Sequence, residues 1–338
     1  MDARIETALA AADLVQLAEQ AGAKLHRQGS EYRGNCPLHG GHNPTGFAIY
    51  VGPDGKQRWQ CFSGDCGHGD LIDFVARWQG LDLAGALRYL TGDAQPDPAT
   101  LQRLATERAE RAASALRDEI ARAQAALDDL LASQRVDVFA ANLQANERAQ
   151  QLWQRRGIIP EMQSYWRLGF CPSFRLIDTE TPTLTIPVFG EGWTLRTLRH
   201  RLLNPPKPGD KYRPDRAGLG NHVFMADPDA AWGAGRVLVV EGEIKAMVVY
   251  QTLDDPAIQV IGIPGKTAAQ QVIAALGDDG RDVVICLDPD AQAESQALAR
   301  QEGGRALYLV DKVDDAILAG SMDKPALKWL LKTARRPQ

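Results

Sequence analysis

Two short runs constrain this chain more than anything else in its 338 residues: Cys36-Pro37-Leu38-His39 and Cys61-Phe62-Ser63-Gly64-Asp65-Cys66. Each places two soft or imidazole ligands on a short knuckle. The segment between them reads as a hairpin, with strands over 45–50 and 57–60 around a Gly52-Pro53-Asp54-Gly55 turn. Four N/S ligands arriving as two pairs suit tetrahedral Zn²⁺, and a filled shell without an open position is structural rather than catalytic. The expected site is one zinc on Cys36, His39, Cys61 and Cys66, with His42 and His68 as alternatives to His39. The second pair has a wider gap than the usual two residues, and the competing reading is a set of small buried cysteines. Lys56, Arg58, Trp59 and Phe62 surround the hairpin. They offer a basic, aromatic face for single-stranded bases or, for the two rings, core packing.

Cys171 and Cys286 complete a set of five, too few and too scattered for a disulfide framework, which fits a reduced compartment. No stretch approaches the roughly 18 uninterrupted apolar residues of a membrane-spanning helix, and Met1 to Glu6 is not a basic-then-apolar leader. A cytoplasmic location without a membrane partner is therefore expected. With 44% hydrophobic and 24% charged residues, disorder as the main state is excluded. A formal charge of −5 argues against a uniformly basic coat for long nucleic acid, although local patches survive such averaging.

Four segments are expected: 1–92, 93–157, 158–234 and 235–338. In the first, apolar spacing predicts a helix over 2–22 and, after the cysteines, helices over 70–78 and 81–90. Gly92 to Pro98 is a hinge by composition. The stretch 101–156 is rich in Ala, Glu, Arg, Gln and Leu, with Leu116, Ile120, Leu127 and Leu131 on one face, and predicts one or two long connector helices. Strands are expected at 184–189 and 193–198, joined by Gly190-Glu191-Gly192, with a long loop over 204–221. The apolar runs at 236–240, 258–263, 282–287 and 305–310 alternate with helical stretches, the pattern of buried parallel strands covered on both faces. The fold class is α+β followed by α/β.

Two features of the last two segments carry chemistry. Glu241-Gly242 and Asp288-Pro289-Asp290 each end an apolar strand, where an open α/β sheet binds its ligands. Carboxylates converging there are hard oxygen ligands for Mg²⁺ or Mn²⁺, and Asp314 and Asp315 offer more. A single Asp at a strand end has blander uses, in ribose binding or helix capping. Between Trp193 and Arg216, Arg196, Arg199, Arg201, Lys207, Lys211, Arg213 and Arg216 face only Asp210 and Asp215. That excess, with His200 and Tyr212 interleaved, suits a nucleic-acid backbone or a triphosphate, against the alternative of a merely solvated loop.

In this order, zinc knuckles, helical connector, basic strands, Glu-Gly and Asp-x-Asp, the chain resembles DnaG-type bacterial primases and their phage and mobile-element relatives over nearly its whole length. Cys36-Pro37-Leu38-His39 resembles the family's Cys-Pro-Phe-His, and Cys61-Phe62 through Cys66-Gly67-His68-Gly69-Asp70 resembles its Cys-Phe-x-Cys-Gly-x-Gly-Asp with two residues inserted. Arg156-Gly157-Ile158 and Leu168-Gly169-Phe170 are similar to the entry into the polymerase domain, and Ile186-Pro187 with Arg201 and Lys211-Tyr212 to its basic segment. Glu241-Gly242 and Asp288-x-Asp290 resemble the Toprim module. Gly262 to Lys266 and Lys312 to Asp315 look more like Toprim domains of phage and plasmid replication proteins.

The resemblance implies an N-terminal zinc ribbon, a helical connector, a basic mixed subdomain and a Toprim sheet with helices on both faces. It implies a DNA primase that makes short oligonucleotides on single-stranded DNA from nucleoside triphosphates. Glu241, Asp288 and Asp290, with Asp314 and Asp315, would hold two or more Mg²⁺ or Mn²⁺ ions. Arg156, Arg199, Arg201, Lys211, Tyr212 and Lys245 would contact template or nucleotide. A replicative helicase or another replication protein is an implied partner, yet the sequence after the Toprim unit leaves no room for the family's helicase-binding bundle. A further family lysine has no counterpart between Arg216 and Phe224. The alternatives are a Toprim nuclease or a non-catalytic nucleic-acid-binding component of replication or defence.

Overall fold

The computed structural model describes residues 11–52, 54–64, 66–92, 98–176, 179–206, 211–230, 235–265, 281–301 and 303–336. The expected hinge at 93–97, the start of the first helix at 2–10, and Pro53, Asp65, Lys207, Asp210 and Lys266 lie outside them. Backbone contacts divide the chain into two compact units, Met1–Arg117 and Asp118–Gln338.

The first unit is built on a five-stranded antiparallel meander, β1 (Leu25–Gln28), β2 (Glu31–Gly34), β3 (Phe47–Val51), β4 (Gln57–Cys61) and β5 (His68–Gly69). Helix α1 (Leu14–Gln20) precedes it, and α2 (Leu71–Gln79) and α3 (Leu83–Thr91) follow. Period-two alternation decides which rings enter the core. Trp59 is fully buried, stacked on Phe47 at 5.9 Å and edge-on to Phe74 at 6.1 Å, and its indole N–H donates to the Asp70 carbonyl. Phe62 is 54% exposed, with the Arg33 guanidinium 4.8 Å above its ring. The hairpin rings thus divide, one to the core and one to the surface. Asp70 caps α2 by accepting from the Ile72 and Asp73 amides, and Asp73 returns a bond to the Asp70 amide. Arg108 closes on the same carboxylate at 2.5 Å.

The connector is three helices rather than one or two: α4 (Pro98–Ala132), α5 (Arg135–Gln144) and α6 (Glu147–Gln154). The breaks fall at Gln134, which is forced to φ +51°, and at Asn146, whose side chain caps α6. The apolar stripe on α4 is only partly used. Leu116 and Ile120 are more than half exposed, whereas Leu127 packs with buried Leu130, Val136 and Phe139.

In the second unit, α7 (Pro160–Tyr165) leads into an antiparallel sheet of β6 (Gly169–Arg175), β7 (Glu180–Phe189), β8 (Leu195–Leu202) and β9 (Tyr212–Pro214). Trp193 belongs to the turn, not to a strand, and the expected loop at 204–221 contains β9, paired to β8 through Arg201 and Tyr212. The second sheet runs β10 (Phe224–Met225), β12 (Ile258–Ile263), β11 (Arg236–Glu241), β13 (Asp282–Cys286) and β14 (Arg305–Ala306), all parallel except β10. Leu238, Val240, Val260, Val284 and Cys286 face α8 (Glu243–Leu253) and α11 (Lys324–Thr333). Val237, Val239, Ile261 and Ile285 face Ala299 of α9 (Gln292–Gln301). Both faces are therefore covered, as the unbroken apolar runs require. The run at 305–310 is shorter than expected. The chain leaves the sheet edge after Ala306, and Val310 is 91% exposed.

His200, the residue between two arginines on β8, turns to the opposite side and is fully buried. One ring nitrogen meets the Thr183 hydroxyl at 2.8 Å, and the other meets Asp215 at 2.9 Å. Arg135 and Arg216 also hold the Asp215 carboxylate, and Phe174 stacks on the imidazole at 3.9 Å. Burial holds the imidazole below its ordinary value, although Asp215 pulls the other way. A depressed imidazole value means that the unfolded chain takes up this proton first. The contribution is therefore present above the unfolded value of about 6.5 and is lost as pH falls below it. The melting temperature should fall between pH 7.5 and 5.5 by more in wild type than in His200→Gln; equal falls would remove His200 as the cause.

Candidate functional site

Four ligand atoms from the two knuckles of the first unit, Cys36, His39, Cys61 and Cys66, all lie within 4.8 Å of one another. Cys61 ends β4 opposite Phe47, and its amide donates to the Gly67 carbonyl, so the sheet itself fixes one thiol. His39 Nδ1 stands 3.1 Å from Cys66 Sγ and 3.7 Å from Cys61 Sγ, and Cys36 Sγ is 3.9 Å from Cys66 Sγ. Tetrahedral zinc with Zn–S of about 2.3 Å and Zn–N of about 2.0 Å spans separations of this size. Burial pushes the Cys36 thiol up to about 12, so keeping it as a thiolate calls for a cation. Of the three candidate histidines it is His39 that joins the group; His42 and His68 do not.

Two glycines shape the pocket of the His39 ring. A Cβ on Gly41 would lie 2.5 Å from His39 Nε2, and one on Gly64 would lie 3.0 Å from the same ring. Gly41→Ala must therefore swing the imidazole away from the sulfurs. Zinc affinity, measured by competition with a chromophoric chelator, should drop by tenfold or more, on the order of other ligand-orienting losses; an unchanged affinity would refute the cradle.

The second candidate site lies at the carboxyl edge of the parallel sheet. Gly242 turns β11 into α8 at φ +91°, and its amide donates to the Ile263 carbonyl at 2.8 Å. A Cβ on Gly262 would stand 2.6 Å from the Gly242 carbonyl oxygen, so glycine is required where the two strands end together. This turn delivers Glu241 to a cleft of about 440 Å³ whose lining also includes Asp288, Asp314 and Asp315. Arg156, Arg201, Lys211 and Tyr212 line it as well. The basic residues of β8 and β9 thus share one cavity with the carboxylates of the sheet edge.

Within that cavity the charges are arranged unequally. Lys245 reaches Asp288 Oδ1 at 2.9 Å, and Lys312 reaches Oδ2 at 3.0 Å. Burial pushes the Asp288 carboxyl up, but the two ammonium groups outweigh it and hold it below the ordinary range. Glu241 Oε2 and Asp314 Oδ1 are buried with no hydrogen-bond partner. Burial raises the Asp314 carboxyl. Two orphaned buried carboxylate oxygens in one cavity fit a hard divalent cation. Among the described residues, however, only the zinc quartet draws its ligand atoms within 4.8 Å of one another; the cleft carboxylates do not.

The cleft brings together most of the residues expected from sequence, but not all in the expected way. Asp290 opens a short 3₁₀ turn, is exposed, and is not among the cleft-lining residues. Arg199 lines the cleft but is buried in an ion pair with Glu243, and it donates to the His222 carbonyl at 2.8 Å. Burial lowers its guanidinium to about 10. Arg201 donates to the Tyr212 hydroxyl at 2.6 Å and lies 5.2 Å from that ring. Arg196 lies instead against Gly190, and Arg216 is tied to Asp215 and Asp129. Lys312, Glu243 and Asn221 are cleft residues that the sequence reading did not single out. The signal for Lys312 was its place two residues before Asp314.

Comparison with known proteins bears on both sites. Residues 1–104 match the DnaG zinc ribbon family, described as the CHC2 zinc finger. The DNA primase of Neisseria meningitidis is 24% identical over 336 residues, covering 87% of this chain and 52% of the relative. That of Pasteurella multocida is 26% identical over 354 residues, covering 90% and 56%. The chain spans about half the length of these relatives. Among solved structures, the zinc-binding and RNA polymerase domains of Aquifex aeolicus primase align with 99% of this chain and 86% of their own, at 19% identity and a TM-score of 0.48. A DnaG primase catalytic domain bound to single-stranded DNA aligns with 64% of this chain and 82% of its own, at 17% identity and a TM-score of 0.47. No helix among the described residues is long and apolar enough to cross a membrane. By its zinc finger and its similarity to DNA primases along most of its length, the chain is a relative of the DnaG-type primases.

Proposed function

We propose that the chain synthesises short primers on single-stranded DNA by metal-dependent nucleotidyl transfer in the cytoplasm. The observation that carries this reading is the single cleft in which the carboxylates of the sheet edge share a cavity with Arg156, Arg201 and Lys211. Magnesium or manganese on Glu241 and Asp314, with Asp315 and Asp288 in the same cleft, would supply the charge that favours attack of a 3′-hydroxyl on an α-phosphate. Arg201, oriented by the Tyr212 hydroxyl, and Lys211 bind phosphate oxygens of the template or incoming nucleotide. Arg156 adds charge to the same cavity. Arg199 acts at one remove, neutralising Glu243 in the first turn of α8 and so fixing the helix that follows Glu241. The zinc, with a filled shell, orders the N-terminal unit for template recognition and takes no part in the chemistry. Single-stranded DNA and nucleoside triphosphates are the partners this reading requires, with a helicase or other replication protein as a further one.

The test combines single-stranded template, ribo- and deoxyribonucleotides and Mg²⁺ or Mn²⁺ with the full chain, and scores both new oligonucleotides and template cleavage. New oligonucleotides that depend on Glu241 support the reading. Cleavage without synthesis would replace it with a Toprim nuclease, and neither activity with a binding module.

A further inference from the structure

Asp288 has no free carboxylate oxygen for a metal: Lys245 holds Oδ1 and Lys312 holds Oδ2. Both contacts are short, and the Asp288 side chain is only 10% exposed. Lys245 is also a cation in the first turn of α8, where the helix dipole favours an anion. Its ammonium is pinned there from two sides, by Asp288 and by the Glu241 carbonyl at 3.1 Å. Glu241 Oε2 and Asp314 Oδ1, in contrast, are buried and unpartnered. The cleft therefore has a closed half, already neutralised by protein cations, and an open half that lacks one. Its charge count agrees. Glu241, Asp288, Asp314 and Asp315 against Lys245 and Lys312 leave the charge that a single divalent ion would balance.

From this geometry we infer that Lys245, assisted by Lys312, stands in for a divalent cation at Asp288, so that the cleft takes one Mg²⁺ or Mn²⁺ ion, on the Glu241 and Asp314 side. The inference rests on reading the cleft as a divalent-ion site, and departs from the two or more ions that the family resemblance implies. Lys245 is a positioning residue in this account: it keeps Asp288 charged and in place, and its ammonium faces the cleft where a second ion would otherwise lie.

Mn²⁺ binding followed by electron paramagnetic resonance on the zinc-loaded full chain tests this without reference to turnover. Wild type should bind one Mn²⁺ per chain, and Glu241→Gln should weaken that ion by tenfold or more. Lys245→Met should admit a second Mn²⁺, whereas Lys245→Arg, which keeps the charge, should stay at one. Circular dichroism melting of each variant checks that the fold is retained, and Lys312→Met provides a second opening of the same carboxylate if Lys245→Met does not fold. Two ions in wild type, or one ion in both methionine variants, would overturn the inference. No Mn²⁺ in wild type would remove the divalent-ion reading as well, and the synthesis assay then reports separately on the proposed function.

Discussion

Cys36→Ser is expected to unfold the N-terminal sheet while the parallel sheet of the second unit keeps its own cooperative melt. The meander is small, and its core is the ring cluster of Phe47, Trp59 and Phe74 beside buried Cys36 and Cys61. In zinc-finger peptides the apparent contribution of a structural zinc is about 10–16 kcal/mol, more than such a small core can replace. Without a metal, four clustered ligands bring cost instead of stability: the Cys36 thiol is buried with its proton, and His39 is held against sulfur. Hydrogen exchange over β3 and β4 reads the outcome. Protection should disappear in Cys36→Ser and in wild type treated with a strong chelator, and should return in the latter with one equivalent of zinc. Retained protection, or a zinc content well under one per chain, would end the assignment.

The second large effect is expected at Glu241. Its Oε2 is buried and unpartnered, so removing the charge takes away the ligand that the open half of the cleft presents. Glu241→Gln keeps the size of the side chain, and nucleotide incorporation should fall by about a hundredfold or more, on the scale of other losses of transition-state charge stabilisation. Template affinity in fluorescence anisotropy should change little, because Arg156, Arg201 and Lys211 remain. The opposite split is expected for Arg201→Ala and Lys211→Ala, which should weaken binding and flatten its dependence on salt. If Glu241→Gln lost affinity and activity in proportion, the carboxylate would be structural.

Much of this was legible before any coordinate, and the exceptions share a cause. The zinc ligands were legible because their spacing is local and the chemistry of thiolate and imidazole is narrow. Glu241 and Asp288 were legible because an apolar run ending in a carboxylate marks the edge of a parallel sheet. The choice of His39 over His42 and His68 was not, since it depends on how the second knuckle folds back. The buried pair of Arg199 and Glu243 joins residues far apart in sequence, so composition counted Arg199 as a phosphate contact while tertiary structure gave its charge a partner. The bracket of Lys245 and Lys312 around Asp288 was hidden in the same way, with each lysine brought in by a different segment. The stripe on α4 shows the reverse error. A regular apolar spacing promised packing along its length, and Leu116 and Ile120 are exposed.

The central claim is that the cleft joins nucleotides on a template, and one side-by-side measurement tests it most directly. Wild type and Asp288→Ala are incubated with the same single-stranded DNA, labelled nucleoside triphosphates and Mg²⁺ or Mn²⁺, and the products are resolved on a sequencing gel. The account predicts short labelled oligonucleotides complementary to the template from wild type and none from Asp288→Ala. A wild-type lane without template-dependent product, or equal product in both lanes, would contradict it.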